Sequence, residues 1–530
     1  MKNSFKVLVF VIGLLSTVGC SKDDFADYYT DPSKIATTSV DKQFASVLFV
    51  NNAYVLPNYD NYFSVLRTTL RRYTQANGWV NGDNQYTPSD TPFSMRWNSF
   101  YQQLAQYREM EKIYNGLEGA EKDNARIFML LGTVYMYDYL GRTVDIFGDI
   151  PFSEASKLSQ NGGDYIASLS KYDTAESIYT TILNDLKSIA DELNTINVSA
   201  GVLTVLRKQD FLNHGDLEKW QKYTNSLRLR MLTRVSAAPD FQTRAKSEIT
   251  EILNNSNTYP IIASNDDNIQ INVYDLSTEL RPKKFREGLE DWNGNVSGKV
   301  MIDYMNTNLD PRLRVLFEPG PNAPANTYIG LDQMLSTSEQ DSLVTGGTLA
   351  LYNTSTLSRN EYFPGPVINS AEVELLKAEA YLNNSQDALA QASYEAAITN
   401  SINYYFDIAA LTTVAGTAPT LVALDPAEIT AYISMSDVSW TAATTNDEKL
   451  ALIAFQKWIH FNLIQNYDCW AEFRRLDLPN LTFPVDNANT QTLPPVRFLY
   501  PNSEVSNNSE NYETVKSEDN FNTKIFWDVN

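Results

Sequence analysis

A chain of 530 residues can bury a large core, and 43% hydrophobic against 20% charged residues describes a folded protein rather than a disordered one. Lys and Arg number 42 against 64 Asp and Glu, a formal net charge of −22. So acidic a chain lacks the basic footprint for nucleic-acid backbones and repels anionic lipid headgroups. Two histidines (His214, His460) and two cysteines (Cys20, Cys469) exclude Cys-cluster zinc sites, HExxH metalloprotease chemistry and a disulfide framework.

The chain starts with a short basic region, Lys2 and Lys6, then the apolar run Val7–Leu15. Nine residues are too few to span a bilayer, which takes about 20, so residues 1–19 are expected to be a signal peptide. Gly19-Cys20 follows small residues and precedes polar ones, as in a bacterial lipobox, although Thr17 stands where such boxes carry Leu. Cys20 is therefore the expected lipidation site, with residues 20–40 as a lipidated tether. Several acyl chains would anchor firmly, since each buried CH₂ contributes about 0.8 kcal/mol.

Helical periodicity dominates the remainder. It predicts helices near 41–56, 58–77, 92–117, 120–141, 172–194, 216–237, 240–255, 370–384, 387–404 and 445–475. No strand–helix alternation, GxGxxG or P-loop motif appears, so nucleotide binding has no support and no cofactor is expected. An internal repeat is visible. Phe128-x₂-Leu131-Gly132-x₂-Tyr135 has the spacing of a first tetratricopeptide helix, with small Gly132 admitting a close partner. Ala175-x₃-Tyr179 has that of a second helix, and Ala378-x₂-Tyr381 with Ala390-x₃-Tyr394 and Ala397 repeats the pair compactly. Trp220-x₂-Tyr223 is a candidate opening of another first helix. The expected fold is mainly α: tetratricopeptide-like helix pairs in a curved α-α superhelical scaffold, with long loops and a small loop-rich subdomain. Residues 41–530 read as one domain, with a loop-rich insertion near 259–366 and further loops at 412–445 and 476–530.

Five segments carry a family resemblance. They are Tyr29-Thr30-Asp31-Pro32-Ser33-Lys34; Asp145 to Ala155 (DIFGDIPFSEA); Lys171-Tyr172-Asp173; Asn213 to Trp220 with Ser226 to Arg230; and the C-terminal series Gln456 to Ile459, Trp470 to Arg475 and Pro495 to Pro501. Together they resemble the SusD/RagB-like outer-membrane lipoproteins of Bacteroidetes, and Ser21-Lys22-Asp23-Asp24 resembles the export signal of surface lipoproteins from that group. The resemblance implies a non-enzymatic lipoprotein on the outer membrane, facing the cell exterior. It implies capture of a nutrient, usually a glycan or oligosaccharide and in some members a peptide. It also implies a SusC-like TonB-dependent transporter as partner, over which the protein closes as a lid. A surface protein-interaction scaffold and a glycoside hydrolase working with two carboxylates are the alternatives.

Glycan recognition needs flat aromatic faces with planar hydrogen-bonding groups at the rim. Two polar loops fit: Arg72, Tyr73, Asn77, Trp79, Asn81, Asp83 and Tyr86; and Arg286, Glu290, Asp291, Trp292 and Asn293. Trp292, Trp79, Arg72, Tyr73, Tyr86, Arg286 and Asn293 are the ligand-binding candidates. No catalytic residue and no metal site are expected; Asn81/Asp83 and Asp266/Asp267 offer oxygen ligands without EF-hand spacing. Asp145–Ala155 reads as a folding element. Arg228, Arg230, Arg474 and Arg475 read as partners of carboxylates on neighbouring helices. Trp97, His460 and Cys469 read as core, and His214 as a helix-start or surface residue.

Overall fold

The computed structural model describes residues 38–413 and 419–530. The leader, Cys20, most of the tether and the Tyr29–Lys34 segment lie outside the described residues. Helices dominate. They are α1 (Val40–Val50), α2 (Asp90–Asn115), α3 (Gly119–Phe147), α4 (Ala175–Leu193), α5 (Ala200–Gln209), α6 (Leu217–Arg234) and α7 (Gln242–Asn254) in the first half. The second half adds α8 (Lys299–Thr307), α9 (Thr337–Gly346), α10 (Ser370–Asn383), α11 (Asp387–Ala410), α12 (Pro426–Ile433), α13 (Asn446–Phe461) and α14 (Asn466–Leu476). The described strands are short and form two antiparallel pairs: β1 (Ile269–Ile271) with β4 (Gly365–Ile368), and β2 (Phe317–Glu318) with β3 (Leu351–Tyr352).

Helix starts follow capping chemistry. Thr174, Asp216 and Asn369 accept hydrogen bonds from the first free amides of α4, α6 and α10, and Thr445 and Glu448 cap each other at α13. Helices α2 and α3 form one antiparallel pair, α10 and α11 another, and α6 packs on α4 and α7. Gly132 sits where α3 meets α1 and α2. A Cβ there would lie 2.6 Å from Met110 Cε and 3.5 Å from Phe44, the close approach that the repeat spacing predicts. Ala390, Tyr394 and Ala397 are buried against α10, as their spacing requires.

Three predicted helices are broken, the 41–56 stretch at Asn51 between α1 and a short turn at Asn52–Val55. The 58–77 stretch becomes a π-turn at Asp60–Val65, a 3₁₀ turn at Leu66–Thr68 and one α-turn at Leu70–Tyr73. Thr69 Oγ1 donates back to the Val65 carbonyl at 2.7 Å, a side-chain bond that competes with the helix ladder. The 445–475 stretch divides into α13 and α14. Asn462 and Asn466 donate to the Ile459 and Leu463 carbonyls, and the Tyr62 hydroxyl also donates to Leu463 O. Helices α8, α9 and α12 stand where the sequence reads as loop, and α5 lies between two predicted helices.

The Asp145–Ala155 segment is a folding element. Asp145 accepts from the Tyr179 hydroxyl (2.6 Å) and the Trp527 indole (2.8 Å), and Asp149 caps α4 at Ala175 N (2.8 Å). Gly148 ends α3 at φ 80°, a conformation that favours glycine, beside the Arg497 guanidinium. The arginines pair as expected, with one exception. Arg228 meets Glu248, Arg230 meets Glu372, and Arg475 meets Glu379 and Glu472. Arg474 instead lies 3.7 Å from the Trp470 ring centroid and donates to the Val496 and Asp145 carbonyls.

His460 is buried between Ser401 Oγ (2.9 Å) and Asn369 Oδ1 (2.8 Å). Burial, then the nearby Arg312 cation, pulls its pKa down to about 3. The unfolded chain therefore takes up a proton near pH 6.5 that the folded chain refuses. Stability is complete above that value and falls by about 1.4 kcal/mol per pH unit below it. Urea midpoints measured from pH 7 to pH 5 should fall in the wild type and fall less in His460→Gln; equal slopes would show that His460 carries no such linkage.

Candidate functional site

The second loop cluster builds an exposed aromatic platform. Tyr59, Phe63 and Arg67 follow one another at four-residue spacing, so they share a face of the irregular helical segment. Tyr59 stacks on Phe63 with ring centroids 4.8 Å apart and planes 15° apart, and the Arg67 guanidinium lies 4.0 Å from the Phe63 centroid. All three side chains are half-buried. Burial pulls the Arg67 guanidinium below its usual range.

The strip from Lys283 to Gly294 lies across this face. Lys283 N donates to Pro57 O and Tyr59 N donates to Lys283 O, both at 3.0 Å. Phe285 then inserts between Tyr62 and Phe363. A Cβ on Gly288 would sit 3.0 Å from the Tyr59 Cα, so the short helix Phe285–Glu290 rests directly on that backbone. Glu290 anchors its end, accepting from Ser358 (2.6 Å) and Arg359 (2.9 Å). Burial alone would push the Glu290 carboxyl up; Arg359 and Ser358 hold it below the usual range.

Past that anchor the chain turns sharply. Trp292 and Asn293 take φ values of 56° and 57°, the left-handed region in which a bulky side chain is an outlier. Gly294 closes the turn: a Cβ there would lie 2.8 Å from Leu289 O and 3.1 Å from Arg67 Cδ. The buried Arg71 fixes it from below, donating to Gly294 O at 3.2 Å. The result places Trp292 outward with 78% of its surface exposed. Among the described residues its ring makes no stacking or cation–π contact. Arg286 is also exposed, 3.5 Å from Glu290, and Asn293 is exposed.

The first loop cluster is placed differently, and the expectation for it is corrected. Trp79 is only 7% exposed, and its indole donates to Gln85 Oε1 at 2.8 Å. Arg72 covers its ring at 5.2 Å and donates to the Gln85 carbonyl. Tyr86 is fully buried and donates to Pro484 O, while Tyr73 is buried beside Trp470. Gln85 N donates to Asp486 Oδ2, and Asn81 is tied to Gln333 and Gln340. These residues lock the N-terminal half to the C-terminal segment and offer no open ring face. Asp267 is likewise committed, to Lys222 and the Ala263 amide. Among the described residues no cluster of His, Cys, Asp and Glu is arranged to hold a metal.

Tyr59, Phe63 and Arg67 escape the sequence reading because aromatic residues at helical spacing read as core. Their signal is the arginine one turn beyond the aromatic pair, at the open end of the stripe. A polar cleft of about 430 Å³ between α2, α3 and α4 lies elsewhere. Its polar side chains engage one another: Tyr137 with Asp185, Tyr107 with Thr133, Arg126 with Glu192.

Known proteins agree with this architecture. A chitin-binding SusD homologue from Flavobacterium johnsoniae superposes with TM-score 0.69 at 23% identity, over 93% of this chain and 99% of its own. A SusD homologue from Bacteroides fragilis gives 0.69 at 18% identity, over 93% and 100%. A further chitin-binding protein gives 0.70 at 22% identity, over 92% and 100%. At such identities these likenesses establish the fold. No curated protein matches the chain. The family model described as "starch-binding associating with outer membrane" matches residues 36–501. That family consists of binding proteins, not enzymes. With nearly its whole length matched, the chain belongs to the SusD-like family of nutrient-binding proteins associated with the outer membrane.

Proposed function

We infer that this protein captures a glycan at the cell surface and delivers it to a SusC-like TonB-dependent transporter in the outer membrane, closing over that partner as a lid. The observation that carries the reading is Trp292. A tryptophan held outward by a left-handed turn, a glycine closure and an arginine strut is costly for the fold, and it is suited to stacking on a sugar ring. The starch- and chitin-binding descriptions of the family and its structural neighbours support a glycan as the ligand class. A lipid on Cys20 would keep the body beside its transporter at high effective concentration.

The test is a binding screen of purified Ser21–Asn530 against polysaccharides and peptides, with product analysis of the same samples. Glycan binding without turnover is the expected result. Turnover would replace the reading with an enzyme, and selective peptide binding would replace the ligand class. For the anchor, a Cys20→Ala variant is expected to leave the membrane fraction for the soluble one. Persistent membrane association would remove the lipidation assignment.

A further inference from the structure

We propose that the ligand of the Trp292 platform is an acidic glycan, carrying uronate carboxylates or sulfate esters. The inference rests on the glycan-capture reading and deepens it. Its starting point is a local loss of the chain's acidic excess. Over the whole chain acids outnumber bases, 64 to 42. In the two segments that carry the platform, 59–67 and 279–291, five Lys and Arg residues stand beside five Asp and Glu residues.

Pairing leaves the two signs balanced. Glu279 is engaged by Lys283, and Glu290 is already shared by Arg359, Ser358 and Arg286. Asp60, Glu287 and Asp291 are exposed carboxylates on the same elements. Against them stand Arg67, Arg281 and Lys284, which form no ion pair among the described residues, and Arg281, Lys283, Lys284 and Arg286 are all exposed. Asp291 acts on Arg67 only from beyond ion-pair distance.

Arg67 makes the argument specific. Its guanidinium is half-buried over Phe63, and its Nε has neither solvent nor a hydrogen-bond partner. Desolvating a guanidinium without an anion is unfavourable, and its planar fork matches a carboxylate or a sulfate. Beneath it Arg71 is fully buried, with Nε and NH2 unpaired, its guanidinium over the Tyr352 ring and donating to Gly294 O. A neutral glycan would leave these cations uncompensated. An anionic one would meet the Arg67 guanidinium while its ring stacks on Trp292. The balance also matters for approach, because a protein of charge −22 repels a polyanion least where its acids are matched by bases.

The experiment measures binding of the purified mature protein to polygalacturonate, dextran sulfate, and neutral dextran, amylose and chitin oligosaccharides, in 50 and 500 mM NaCl. The expected result is preference for one acidic probe, weakened about tenfold or more by salt and by Arg67→Gln. The same affinity should be lost in Trp292→Ala. Polygalacturonate and dextran sulfate separate carboxylate from sulfate as the recognised group. If Arg67→Gln unfolds, the exposed pair Lys284→Gln/Arg286→Gln is read in its place. Salt-insensitive binding of a neutral glycan, equal in wild type and Arg67→Gln but lost in Trp292→Ala, overturns the acidic-ligand inference and leaves glycan capture standing. Acidic binding that survives Trp292→Ala marks non-specific attraction and overturns the inference. Failure of every glycan to bind overturns both.

Discussion

Glu472→Ala is expected to lower the free energy of unfolding by about 3–5 kcal/mol. Glu472 lies in α14, buried among three cations: Arg475 (2.7 Å), Lys457 (2.6 Å) and Arg234 (2.9 Å). Those cations belong to a continuous buried network. Asp138 on α3 meets Arg142 (3.1 Å) and Arg230 (2.9 Å), and Arg142 meets Asp468 (3.2 Å). Arg230 reaches Glu372, while Glu379 is shared by Lys457 and Arg475. Five helices (α3, α6, α10, α13 and α14) are thus joined by charge inside the core. Removing one carboxylate leaves three buried cations to share fewer anions, with Glu379 serving both Lys457 and Arg475 and Asp145 alone serving Arg234, which costs far more than the pair's net gain. Glu513→Ala, in the exposed pair with Lys516, should change stability by about 0.5 kcal/mol or less. Urea denaturation of both variants gives the comparison. Similar small losses would mean that the network does not act as a unit.

The same network sets an acid limit. Burial pushes the Glu472 and Asp468 carboxyls up, but the surrounding cations win and hold both below their usual values; Glu379 behaves likewise. A depressed folded pKa contributes stability that is complete above the ordinary carboxylate range and lost as pH falls through the folded value. Asp145 and Glu372 oppose this, because burial raises both.

Much of this interior is legible as pattern. The pairing of Arg228, Arg230 and Arg475 follows from arginines set among apolar residues on a helix, where a lone cation cannot stay. The close helix approach at Gly132 follows from the repeat spacing. The break after Tyr59 does not, because Thr69 terminates the ladder through its own hydroxyl, and threonine in a helical pattern carries no unique sign of that. The two tryptophans make the limit plain. Trp79 and Trp292 look alike in sequence, each in a polar loop, with Val80 beside Trp79 as the one adjacent apolar residue. Their fates diverge through contacts formed far along the chain. Trp79 lies under Arg72 and Gln85 in a junction closed by Pro484 and Asp486, some 400 residues on. Trp292 meets no such segment. Local composition reports the neighbours a residue has in the chain, and burial is decided by those it has in space.

The same pair gives the second large prediction. Trp292→Ala removes a ring that is 78% exposed and packs on nothing, so stability should change by about 0.5 kcal/mol or less. Ligand affinity should fall about 10- to 100-fold, the loss typical of a central aromatic anchor. Trp79→Ala should do the reverse. It opens a cavity, uncovers the Arg72 guanidinium and leaves Gln85 without its donor, for a cost of about 3–5 kcal/mol. Any binding deficit in that variant should track the fraction unfolded and disappear at low temperature, where the fold is retained. Calorimetric titration beside thermal melting separates the two effects. If Trp292→Ala binds as tightly as wild type while folded Trp79→Ala does not bind, the ligand contacts the interior junction and the exposed turn serves another partner. If both bind normally, neither ring is the platform, and the Tyr59–Phe63 stack is the remaining aromatic face on that surface.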